Sequence, residues 1–156
     1  GQFGMSMSEL DSLIVALGRT RDKQALGPIL DKLERLDAES EFSHCRSAAM
    51  ALESLGEPAA AKPLAMLLAK PGIQGHACTN IDRARREVPS SPTDTVTRNN
   101  SLRELVLAHA LYRCGDYQGL GEKILKEYAA DLCAHYARHA GAVLRQKHGA
   151  AGEAVQ

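Results

Sequence analysis

Three leucines, Leu17, Leu52 and Leu111, hold the same place in three copies of one pattern: an apolar helical run, a short break, and an acidic residue opening a second apolar run. The copies are LIVALGRTRDKQALGPIL (13–30), AAMALESLGEPAAAKPLA (48–65) and VLAHALYRCGDYQGLGEKI (106–124), and their breaks end at Asp22, Glu57 and Asp116, each five residues after its leucine. A fourth first-type run follows, where Arg138-His-Ala-Gly-Ala-Val-Leu144 repeats Arg46-Ser-Ala-Ala-Met-Ala-Leu52. A repeat of this kind limits the fold more than any single residue does. Each helix pair carries an apolar face that it cannot bury alone, so successive pairs must stack. The marker leucines are 35, 59 and 33 residues apart, and the long interval exceeds one repeat by about 24, which places an insertion within 72–100.

Local signals give the same layout. Ser8-Glu-Leu-Asp11 has the form of a capping box, Asp22 and Asp116 are placed to cap second helices, and Gly56-Glu57-Pro58 is a helix stop followed by a proline near the next start. Helices are predicted near 8–19, 23–36, 43–55, 58–70, 100–114, 117–130 and 132–147, with two helical turns available to Ile81–Val88 inside the insertion. Pro28 and Pro63 share one repeat position, and a proline inside a helix removes a backbone bond and kinks or delays it. Ala and Leu supply 44 of the 156 residues, while aromatic residues are 4% and Trp is absent, so the core is expected to be helix on helix with small side chains. The expected fold is all-α, a right-handed α-α superhelix of about three and a half helix pairs with one long inserted loop. Residues 8–148 form a single domain in this reading, residues 1–7 are a tag or disordered start, and residues 149–156 are a frayed tail. The leading Gly1 and the missing initial Met point to a piece cut from a longer protein.

With Lys+Arg and Asp+Glu equal at 19 each, the chain lacks the basic footprint of a nucleic-acid binder. No apolar run approaches the ~20 residues that a spanning helix needs, and no signal peptide precedes the first helix. The chain is therefore expected to be soluble, with its compartment, including export, set by its parent. Of the four cysteines, Cys45, Cys114 and Cys133 lie at helical core spacing and are expected to be small buried hydrophobes, whereas Cys78 falls in the inserted loop. Three disulfide pairings are open, and spacing selects none of them.

The segment Arg46-Ser-Ala-Ala-Met-Ala-Leu-Glu-Ser-Leu-Gly56 resembles the HEAT-like repeat of the phycobilisome-lyase type, a superfamily of helical-pair solenoids. The stretch 75–140, GHACTNIDRARREVPSSPTDTVTRNNSLRELVLAHALYRCGDYQGLGEKILKEYAADLCAHYARHA, resembles the C-terminal region attached to certain bacterial FAD-dependent oxidoreductases. These resemblances imply a non-catalytic scaffold or protein-interaction module behind a flavin domain. The partner would be a protein domain in cis or in trans. No GxGxxG follows a strand in this chain, so FAD would belong to the parent and no cofactor to this module.

The insertion is the least generic segment. It gathers His76, Arg83, Arg85, Arg86 and Arg98 with Asp82, Glu87 and Asp94. The simpler expectation is that the loop packs along the helices with its arginines on carboxylates and backbone carbonyls. The functional one is a contact surface for a partner or a small anion at His76, Arg83, Arg86, Asp94 and Arg98, since guanidinium forks fit carboxylate and phosphate. An alternative is a lyase-like enzyme subunit with its chemistry in 72–100. His76 and Cys78 are too few donors for zinc, and they make a weak thiol dyad. Asp131, His135 and His139 recur every four residues and would share one helical face, although helix-end electrostatics account for Asp131. The acidic run 31–41 reads as a solvated helix end and turn. No GxSxG elbow or HExxH pair occurs, so no catalytic or metal residue is assigned.

Overall fold

The computed structural model describes residues 7–87 and 93–150, with side chains through Gln146. The expectations for residues 1–6, 88–92 and 151–156, the start and tail of the chain and Val88 among them, lie outside the described residues. Those described form eight α-helices and no strand: α1 (Glu9–Arg19), α2 (Leu26–Glu34), α3 (Phe42–Leu55), α4 (Ala61–Leu68), α5 (Ile81–Arg86), α6 (Val96–Arg113), α7 (Leu120–Ala129) and α8 (Ala134–Ala150). None is long and apolar enough to cross a membrane.

Capping sets the helix starts. The Ser8 hydroxyl accepts from the Asp11 N–H at 3.1 Å while the Asp11 carboxylate accepts from the Ser8 N–H, closing the expected capping box. Asp22 accepts from the Gln24 N–H at 2.9 Å. Asp116 accepts from the N–H groups of Tyr117, Gly121 and Glu122 at 2.7–2.9 Å. Glu57 departs from this pattern: its side chain makes no cap and instead reaches Lys23 at 3.2 Å, joining the second helices of two repeats. α6 starts four residues before the boundary expected from sequence, because Asp94 accepts the Val96 N–H at 3.0 Å and extends the helix backwards.

The two prolines delay their helices and do not bend them. A one-turn 3-10 segment, Lys23–Ala25 or Pro58–Ala60, comes first, and the α-helix then begins two residues ahead of Pro28 or Pro63. Each proline thus sits in a first turn, where its missing N–H leaves no bond unmade.

The helices pack in pairs across the fold. α1 packs on α3, α3 on α6 and α6 on α8, while α2 packs on α3 and α4, α4 on α6, and α7 on α6 and α8. Alanines line the seams: Ala48, Ala49, Ala51, Ala108 and Ala110 are all buried. At Gly18 the two backbones come so close that a Cβ would stand 2.4 Å from the Ala51 Cα. Leu52 and Leu111 are fully buried. Leu17 differs. It is 37% exposed on α1, whose main packing partner is α3.

One buried acid fastens α1 to α3. Asp11 accepts from Ser47 Oγ at 2.9 Å and lies 2.8 Å from His44 Nδ1. Burial opposes its charge, but the bonds from His44, Ser8 and Ser47 outweigh burial and hold its pKa at about 2.

Candidate functional site

The insertion enters the fold as a short strap outside regular secondary structure, residues 75–78, gripped by its main chain. Gly75 adopts φ +91°, a conformation open to glycine, and its N–H and the next one meet the same carboxylate. Glu104 on α6 accepts from the Gly75 N–H at 3.0 Å and the His76 N–H at 2.8 Å. The Tyr128 hydroxyl of α7 also lies 2.9 Å from that carboxylate. Glu104 and Tyr128 are both buried, and burial together with the Glu104 charge pushes the phenol pKa up. Further along, Asp131 accepts from the Cys78 N–H at 2.6 Å and from the Cys133 N–H at 2.7 Å, and the Leu132 N–H donates to the Cys78 carbonyl at 2.9 Å. Arg83 completes the brace by donating to the carbonyls of Gly75 and Ala77 at 2.9 and 3.0 Å and to Glu87 at 2.7 Å.

His76 and Cys78 lie two residues apart on this strap. Both line a cavity of about 290 Å³ with Asp94, Arg98, Asp131, Cys133 and Tyr136. His76 is fixed by its Nε2, 2.9 Å from the Gly72 carbonyl. The Arg98 Nε is buried without a hydrogen-bond partner.

The candidate site residues therefore divide. His76, Asp94 and Arg98 come together at the cavity, with Asp94 already engaged at the start of α6. Arg83 is turned onto backbone carbonyls, and Arg86 is exposed at the end of α5, outside the cavity lining. Two sequence readings need correction. Cys133 is exposed, because α8 begins one residue later and the cysteine sits in the turn before it. Asp131 shares no helical face with His135 and His139; it precedes α8 and binds two amides. Among the described residues, no group of three or more His, Cys, Asp or Glu is placed to hold a metal ion.

No family model, curated protein or solved structure matches the chain.

A second polar cluster lies between α3, α6 and α8. His109 meets His139 edge to face with ring centroids 5.2 Å apart, and its Nε2 is 3.3 Å from Glu53. Burial, then the neighbouring His139 and Arg113, pull the His109 pKa down to about 4. In the unfolded chain the same imidazole returns to the ordinary value near 6.5. Between those values the unfolded chain takes up a proton that the folded chain refuses, so stability falls as pH drops from 6.5 to 4, by on the order of 3 kcal/mol. Asp11 works in a lower window, losing its contribution as pH falls below 3.8 toward about 2. Urea midpoints measured from pH 7.5 to 4 should fall for the wild type and stay flatter for His109→Gln. Parallel curves for the two proteins would remove His109 as the cause.

Proposed function

We propose that this chain is a HEAT-like, right-handed α-α superhelix of about three and a half helix pairs that serves as a non-catalytic docking module for a protein domain, in cis or in trans. The alternation of first helices (α1, α3, α6, α8) and second helices (α2, α4, α7), each packed on its successor or on the next pair, supports that architecture. The stretch 75–140 supports its place as the C-terminal module of a bacterial FAD-dependent oxidoreductase, with the flavin held elsewhere in the parent.

The observation that carries docking is the free face of α1. Leu10, Leu13 and Leu17 fall at i, i+3 and i+7, one helical stripe, and are 53%, 66% and 37% exposed. A stacked helical array leaves an apolar face at any end that nothing caps, and a contiguous apolar stripe marks an interaction site. A second apolar surface, a groove of about 630 Å³ between α2 and α4, is lined by Leu30, Pro63, Met66 and Leu67 with Asp31, Glu34 and Lys70 at its edges.

Leu13→Glu is expected to weaken binding of the separately expressed flavin-domain remainder at least tenfold, about 1.4 kcal/mol or more, with helicity and melting unchanged. Titration calorimetry reads the affinity. No change with Leu13→Glu, or a loss confined to Met66→Glu in the groove, would overturn docking at α1. A second reading, a small-anion regulatory site, draws on the unpartnered Arg98 Nε beside the 290 Å³ cavity. Glu87, Asp94 and Asp131 in the same lining weigh against an anion.

A further inference from the structure

The four cysteines differ in what they can react with. Cys45 and Cys114 are buried in the helical core, where burial raises the pKa of both, that of Cys114 to about 11. Such thiols are inert. Cys78 is half-buried, Cys133 is exposed, and both line the 290 Å³ cavity. Their chain segments are tied at three points: Asp131 grips the amide of each cysteine, at 2.6 and 2.7 Å, and the Leu132 N–H donates to the Cys78 carbonyl at 2.9 Å. Both amides sit on one carboxylate, one on each oxygen, so the two cysteines are held as neighbours on the same cavity wall; a disulfide between them needs a Cα to Cα distance of about 4.4–6.8 Å. The only hydrogen bond described for either sulfur is weak, from Cys78 Sγ to the Asn80 carbonyl at 3.5 Å, so rotation of that side chain costs little.

We propose that Cys78 and Cys133 form a reversible disulfide that stitches the strap to the turn between α7 and α8, making this wall of the cavity a thiol switch. The oxidant is a peroxide. The more exposed Cys133 sulfur attacks the O–O bond of hydrogen peroxide, an S–O bond forms, and one oxygen leaves as water after taking a proton. The Cys78 sulfur then displaces the hydroxyl of the sulfenic acid: the S–S bond forms, the S–O bond breaks, and a second water leaves. In sum, two thiols lose two electrons and two protons, and one peroxide becomes two waters. A dithiol reductant reverses the step through a mixed disulfide.

The test is peptide mapping of the reduced wild-type chain after treatment with hydrogen peroxide. The expected result is a Cys78–Cys133 linked peptide in most molecules, with the loss of two hydrogens from the intact mass, reversed by dithiothreitol. The cross-link closes the long loop from 78 to 133, so the oxidised chain should melt about 10 °C higher than the reduced one. Cys78→Ser and Cys133→Ser should each abolish both effects. Separate sulfinic acids at the two positions, cross-linked dimers alone, or a linked peptide containing Cys45 or Cys114 would overturn the proposal.

Discussion

Glu104→Ala is expected to lower folding stability by about 3 kcal/mol and to free the strap from α6. The carboxylate is buried and accepts from two strap amides while lying within hydrogen-bond distance of the Tyr128 hydroxyl. Its removal leaves all three donors without that acceptor. An unsatisfied buried group costs about 1–3 kcal/mol, and water entering the new space recovers part of that for the amides. Glu104→Gln keeps one carbonyl oxygen and should cost about half as much. Urea unfolding measures the loss, and amide hydrogen exchange shows where it falls: Gly75 and His76 should lose protection first. Retained protection at both amides in Glu104→Ala would show that Glu104 does not hold the strap.

Gly18→Ala should be comparably damaging, although alanine is intrinsically the better helix former by about 1 kcal/mol. The new Cβ would stand 2.4 Å from the Ala51 Cα, 2.6 Å from its carbonyl oxygen and 2.7 Å from its Cβ. Two of those atoms are backbone, so no side-chain rotation relieves the clash and α1 must lift from α3, exposing Ile14 and Val15. The net loss should be about 3 kcal/mol, a fall in melting temperature of about 10 °C. Ala51→Gly removes only the side-chain contact and should restore less than half of it. Gly27 on α2 has no atom within 4 Å of an added Cβ, so Gly27→Ala should stabilise by about 0.5–1 kcal/mol. Equal behaviour of the two alanine variants would mean that α1 and α3 do not meet at Gly18.

The sequence revealed what is local and repeated. The helices follow from apolar periodicity, the Ser8, Asp22 and Asp116 caps from polar residues at helix starts, and the Leu52 and Leu111 burial from the repeat itself. What it concealed is contact at long range between a side chain and a backbone. Glu104 bonds amides 28 and 29 residues away, and Asp131 bonds one 53 residues away. A main-chain amide belongs to every residue type, so neither bond leaves a mark at the partner's position. One signal was readable. Glu104 shares the helical stripe of Ala108 and Leu111, and Asp11 that of Ile14 and Gly18; an acid on a core-facing stripe announces a buried carboxylate in search of donors. Cys133 misled for the opposite reason: its spacing from Tyr136 and Ala140 fits a helix that begins only after it.

α3 packs on α6 as extensively as α1 packs on α3, even though the chain between α3 and α6 runs through α4, the strap and α5. The extra chain does not keep α3 and α6 from packing on each other. Segments so placed lengthen at small entropic cost, about 0.6 kcal/mol per doubling. A foreign peptide spliced in after Glu87, past the Arg83 brace, should therefore leave α3 and α6 packed on each other.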